Sequence, residues 1–147
     1  MSTVDVETLR TALAELEDAK LRVRRDAEQK LEMFKGQVLE KLLPVLDNLE
    51  RSIAAGEGRA GGPWLDGVKL VHAQFLAALA DFGLERRSAE GARFDPRMHD
   101  AVAVVPVLDP ALDGVVVGET EPGYWVGDRV IRPAKVQVGR SAARPPS

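Results

Sequence analysis

VDVETLRTALAELEDAKLRVRRDAEQKLEMFKGQVLEKLLPVLDNLERSIAA, residues 4–55, decides the fold. Its composition is helical, with one glycine (Gly36) and one proline (Pro44). A heptad reading starts with Leu9, Leu13 and Leu16 but then puts Lys20 at a core position. An eleven-residue reading keeps more of the pattern. Its columns are Leu16, Ala27, Val38, Leu49, then Ala12, Val23, Phe34, Val45, then Leu9, Lys20, Leu31, Leu42, Ile53. Eleven residues in three turns is about 3.67 per turn, close to a straight α-helix. The spacing predicts a long, nearly straight helix with a narrow apolar stripe.

At ~1.5 Å per residue such a helix spans roughly 50 Å or more, beyond what a domain of this size can bury. The stripe needs a partner, and a second copy of the same chain supplies one. The expectation is a parallel helix pair in a homodimer, meeting through Leu16, Val23, Ala27, Leu31, Phe34 and Val38. The competing arrangement folds the helix back onto its own bundle, but only one further helix is available to cover it.

Working outward, Pro44 has no amide hydrogen and clashes with the carbonyl four residues back. It is expected to interrupt the helix near residues 40–43, leaving a separate short helix with Leu43, Leu46, Leu49 and Ile53 inward. The connector GEGRAGG (56–62) follows. A second helix runs from Pro63 to Phe82, with Val68, Val71, Phe75 and Leu79 on one face and Gly83 as its left-handed stop. Two short helices per chain, doubled, make a four-helix bundle in which Leu46, Leu49, Val68, Val71 and Phe75 complete the dimer contacts.

The remainder reads as strands at 101–107, 114–119, 129–134 and 135–139, divided by LDP, EPG and GD turn signals. Val136 and Val138 alternate with Lys135 and Gln137, as in a strand with one wet face. A β domain of this size has a marginal core alone, so it is expected to pack on the bundle. The class is therefore α+β. Residues 1–41 form the dimerisation helix, 42–83 the bundle helices, 84–140 the β domain and 141–147 a disordered tail.

Composition narrows function. Aromatics are only 5%, which suits thin architecture better than a deep globule. With no cysteine, disulfides and thiol chemistry are excluded. A net charge of −3 gives no general pull toward nucleic acid or anionic membrane. No apolar run reaches the ~20 residues of a membrane span, and no signal or transit pattern opens the chain, so a cytoplasmic protein is expected.

Chemistry is sparse. Gly56, Gly58 and Gly61 have the spacing of a dinucleotide fingerprint, but they follow a helix and no βαβ unit surrounds them. His72 and His99 lack partners at metal spacing and read as hydrogen-bonded structural histidines. Neither an enzyme nor a cofactor or metal protein is expected. Charge along the first helix is uneven: residues 1–18 carry five acids and one base, and 20–35 carry six bases and three acids. Lys20, Arg22, Arg24 and Arg25 form a basic collar, read either as a solvated face or as a dock for an acidic partner protein. No aromatics interleave these bases, which argues against nucleic acid.

Four motifs then occur in order: LLPVLDNLERSI (42–53), GVKLVHAQFLAALADFGLE (67–85), FDPRMHDAV (94–102) and GYWVGDRVIRPAKVQVG (123–139). Together they resemble the GrpE family, co-chaperones that release ADP from DnaK-class chaperones in protein folding and the heat-shock response. The resemblance implies a homodimer with a long paired helix, a four-helix bundle and a β-wing, gripping the chaperone's ATPase domain and holding its nucleotide cleft open. It carries partner contacts onto Lys20 and Arg22 of the long helix, Arg51 of the short helix, and Asp95, Pro96, Thr120, Arg129 and Val138 of the wing. It gives Gly67 a role in close helix packing. Val138 reads either as a docking contact at an exposed wing edge or as a valine of the wing core. The segment before GY reads GETEP, where the family has an apolar-plus-QK pattern. The alternative reading is a coiled-coil scaffold, or a divergent copy without exchange activity.

Overall fold

Helix α1 (Thr3–Glu57) contains the whole deciding stretch in one piece. The computed structural model describes residues 3–58 and 61–142. The chain divides into two compact units, Met1–Val38 and Leu39–Ser147, and α1 contributes to both.

Over most of the first unit the helix has no tertiary cover; Gly36, near its end, is buried. From residue 5 to residue 34 nothing is buried. Leu16 is 51% exposed, Val23 68%, and Leu31 and Phe34 64% each. Ion pairs three residues apart, Lys20–Glu17 at 3.7 Å and Lys35–Glu32 at 3.5 Å, add only a few tenths of a kcal/mol each (~0.2–0.5). The stripe read from the sequence is therefore uncovered within this chain from residue 5 to residue 34.

The helix does not break at Pro44, contrary to the sequence expectation. Pro44 and Glu40, whose carbonyl loses its partner, are both exposed, while Leu39, Leu43 and Leu46 on the other side are buried. An interior proline costs ~3 kcal/mol, and fully burying one leucine returns ~1.5–3 kcal/mol. Core packing carries the helix through. The two units divide after Val38.

Helix α2 (Gly62–Asp81) begins with Pro63 in its first turn. It ends at Phe82, where Gly83 adopts a φ of +86°, the left-handed stop the sequence indicated. The connector is shorter than expected, because α1 runs to Glu57; residues 59 and 60 lie outside the described residues.

Six strands follow among the described residues: β1 (Leu84–Arg87), β2 (His99–Val107), β3 (Val116–Glu121), β4 (Gly123–Val126), β5 (Arg129–Arg132) and β6 (Ala134–Ser141). They form two sheets, ordered β1-β4-β5 and β2-β6-β3. The first is antiparallel. In the second, β2 runs parallel to β6 and β3 antiparallel to it. Strand β6 reaches Ser141, which is buried and whose amide donates to Asp113 at 2.9 Å, so the expected tail does not begin at 141. Residues 143–147 lie outside the described residues.

One core joins α1 (Leu39, Leu43, Leu46), α2 (Leu79) and the first sheet (Leu84, Tyr124, Ile131). A second lies under the other sheet, from Ala89, Val116, Ala134 and Val136, flanked by Phe94 and Val138. The first sheet thus docks on the helices, as a small β domain with a marginal core of its own requires. Gly123 permits close strand passage, since a Cβ there would lie 3.1 Å from the Ala134 amide nitrogen.

Candidate functional site

The polar centre of the second unit lies where the first sheet meets α1. Register pairs Arg86 of β1 with Tyr124 of β4, and Tyr124 with Arg132 of β5. Cross-strand partners share a face, so the three side chains form one row. The guanidinium carbons lie 5.4 Å (Arg86) and 5.1 Å (Arg132) from the Tyr124 ring centroid, within cation–π range. Arg86 also donates to the Tyr124 hydroxyl, at 2.7 Å from Nη2 and 3.2 Å from Nε.

Helix α1 meets this row with Asp47 and Glu50, three residues apart and therefore on one face. Both Arg132 amino groups donate to the Asp47 carboxylate, a two-pronged geometry that fixes angle as well as distance. Arg132 also reaches Glu121 at 2.8 Å and the Pro122 carbonyl at 3.1 Å. Arg86 pairs with Glu50, and His72 Nε2 of α2 donates to the same carboxylate at 3.2 Å. Burial opposes the charge on Arg86, but its bonds to Tyr124 and Glu50 outweigh that, and its pKa stands above the ordinary value. Burial pushes the Tyr124 phenol up by more than Arg86 pulls it down.

The predicted site residues distribute around this centre. Arg129 begins β5, exposed, its side chain without a hydrogen bond or ion pair among the described residues. Arg51 follows Glu50 on α1, exposed and bonded only to its helix neighbour Asn48 at 3.1 Å among the described residues. Thr120 is exposed on β3 and donates to the Lys135 carbonyl at 3.2 Å. Val138 is not at a wing edge: β6 is the central strand, and Val138 is half-buried against the second core. That placement is the wing-core reading.

Asp95 and Pro96 form the turn before β2. The Asp95 amide donates to His99 Nδ1 at 3.0 Å, and its carboxylate accepts from Arg97 at 3.0 Å. These bonds, the Arg97 side chain first, hold the Asp95 carboxyl below its ordinary value. Both histidines are thus hydrogen-bonded, as their surroundings in sequence suggested. In the first unit, Lys20 and Arg22 stand exposed, and Lys20, with Leu16, Val23 and Ala27, lines a shallow open groove.

Of the expected dimer contacts, Leu16, Val23, Ala27, Leu31, Phe34, Val38 and Val71 are exposed, while Leu49, Val68 and Phe75 are half-buried. Leu46 is corrected: it is 0% exposed inside the chain's own core and offers nothing to a second copy. Gly67 has no neighbour within 4 Å of a Cβ built there, so close packing at Gly67 is not made within the chain. The row Arg86–Tyr124–Arg132 escaped sequence reading. Its members are 38 and 8 residues apart, and only the strand register brings them together.

Among the described residues no helix is long and apolar enough to cross a membrane, and no group of three or more His, Asp or Glu side chains is placed to hold a metal. The GrpE family model matches residues 6–140. Protein GrpE of Brevibacillus choshinensis is 42% identical over 132 residues, spanning 88% of this chain and 72% of its own length. Protein GrpE of Limosilactobacillus reuteri is 39% identical over 131 residues, spanning 88% and 68%. Protein GrpE of Vibrio vulnificus is 36% identical over 131 residues, spanning 88% and 66%. With a match over nearly its whole length, and helices and sheets where the motifs placed them, the chain belongs to the GrpE family.

Proposed function

We propose that this chain, as a cytoplasmic homodimer, grips the ATPase domain of a DnaK-class chaperone with its helices on one side and its β-wing on the other, and holds the nucleotide cleft open. Membership of the GrpE family makes the chain a nucleotide exchange co-chaperone of DnaK. Exchange on this scheme needs no catalysis. The chain binds the open conformer more tightly than the closed one, and nucleotide affinity falls by that difference. Such couplings are typically ~1–3 kcal/mol, or roughly 5–150-fold.

The observation that carries the wing contact is the contrast inside β5. Arg132 is spent internally on Asp47 and Glu121, whereas Arg129, on the same strand, is presented to solvent. A charge held at the end of a well-anchored strand suits a partner contact. Asp95, Pro96 and Thr120 extend the wing surface, and Arg51, Lys20 and Arg22 extend the helical one, whereas Val138 faces the wing core. The uncovered stripe of α1 and the exposed Val71 of α2 support the dimer, since a second copy supplies matching apolar surface.

The test is stopped-flow release of a fluorescent ADP analogue from a DnaK-class chaperone. The chain should accelerate release strongly, and Arg129→Ala should remove most of the acceleration while leaving the fold intact. No acceleration by a well-folded dimer would leave a scaffold or a divergent copy as the better reading.

A further inference from the structure

We propose that Arg86, Tyr124 and Arg132, with Asp47 and Glu50, form a stiff joint that sets the angle between the helical and wing contact surfaces, and so sets how strongly the chain prefers an open cleft. This rests on the two-sided grip described under Proposed function. Asp47 and Glu50 are engaged inward: their carboxylates, 20% and 27% exposed, are held by Arg132 and Arg86 of the first sheet.

Three observations carry it. The leucine contacts between α1 and the first sheet are non-directional, and burial alone permits small changes of angle. The polar bonds are directional: the two-pronged Arg132–Asp47 pair and the Arg86 bridge between Glu50 and Tyr124 bind the same two elements at two points one helical turn apart. Two fixed points remove rotation where one would allow it.

The candidate contact residues also flank the joint. Arg51 is adjacent to Glu50 on α1, and Arg129 shares β5 with Arg132. His72 ties α2 to the same Glu50 carboxylate. Movement of either contact surface is thus referred directly to these bonds. A compliant joint would let the chain follow the chaperone as its cleft closes, gripping both conformers equally. A ligand with equal affinity for two states shifts neither, however tightly it binds. The joint residues are therefore positioning residues.

The test compares wild type with the double variant Asp47→Asn, Glu50→Gln, which keeps side-chain volume and removes both charges. ADP-analogue release from an ADP-loaded DnaK-class chaperone is titrated against the full-length chain. The expected result is a maximal release rate reduced roughly tenfold, a share of the coupling typical between sites, with the half-saturating concentration moved less than about twofold. Circular dichroism and sedimentation should match wild type. Tyr124→Phe, which removes only the hydroxyl that Arg86 donates to, should lower the maximal rate in the same direction by less, and it decides the matter if the double variant fails to fold.

An unchanged maximal rate in a folded variant would overturn the joint. So would a raised half-saturating concentration at full maximal rate, since that is the mark of a lost contact. Absence of acceleration by wild type would overturn the functional reading itself and the joint with it; that failure is distinct, because it is seen before any substitution.

Discussion

Leu31 and Leu43 lie on the same unbroken helix, yet Leu31 is 64% exposed and Leu43 is 0% exposed. The sequence around them is alike, rich in leucine, lysine and glutamate with an apolar residue every three or four positions. The difference lies in what the chain can bring to each. From Leu39 onward, α2 and the β1-β4-β5 sheet supply covering side chains, and two carboxylates of α1 are clamped by arginines. Before Leu39 no residue from 5 to 34 is buried. One helix thus contains a half that completes its own core and a half whose apolar side chains stay exposed. A helical period reports that a face is apolar; it does not report whether the covering surface is in the same chain.

Leu43→Ala should have the largest effect. It empties a fully buried site, and loss of about 2–5 kcal/mol is expected in urea unfolding, with helix and wing signals shifting together. Separate shifts would break the claim that one core joins the helices to the first sheet. Asp47→Ala comes next. It leaves the largely buried Arg132 without its two-pronged partner, and a loss of roughly 2 kcal/mol is expected, between the cost of an unmade hydrogen bond and that of a fully buried broken ion pair. A loss under half of that would show that Glu121 and the Pro122 carbonyl suffice to hold Arg132.

Leu31→Lys should instead leave the second unit's unfolding midpoint within about 0.5 kcal/mol, as for a surface position, while sedimentation equilibrium shows a shift toward monomer. Unaltered assembly would remove the stripe's assigned role. Warming offers a version without mutation. Both tryptophans, Trp64 and Trp125, lie in the second unit, so their fluorescence reports it alone, whereas far-ultraviolet circular dichroism reports both. Lys20, Ala27 and Gly36 weaken the stripe, so helical signal should fall before tryptophan signal. A single coincident transition would contradict this.

The smallest effects concern pH. The Asp95 carboxyl is held below its ordinary value of 3.8, chiefly by its hydrogen bond from Arg97, so its contribution is present above that value and lost as pH falls through the lowered one. Tyr124 is raised above 10.0 by burial, so its contribution is full below 10.0 and is lost as pH rises through the raised value. Tyr124→Phe should accordingly flatten the alkaline limb of the stability profile, and Asp95→Asn the acid limb.

Much of this was legible in the chain. The helical period, the Gly83 stop and the strands around 101–107 and 135–139 followed from local chemistry. Pro44 was misjudged because the leucines opposite it outweigh a local rule. Strands β1 and β4 escaped because LERR and GYWV show no alternation; they are strands by virtue of their partners. Val138 was left between a docking contact and a wing-core valine because its motif does not give its place in the sheet. Arg129 was singled out through its motif, whereas Arg86 and Arg132 become a pair only through the register across Tyr124.

The most direct test is binding calorimetry of this chain with a DnaK-class chaperone, without nucleotide and with saturating ADP. If the chain works by holding the cleft open, it binds the nucleotide-free chaperone at least about fivefold more tightly, and weakens ADP binding by the same factor, as reciprocity requires. Equal affinity in the two conditions would contradict exchange by differential binding.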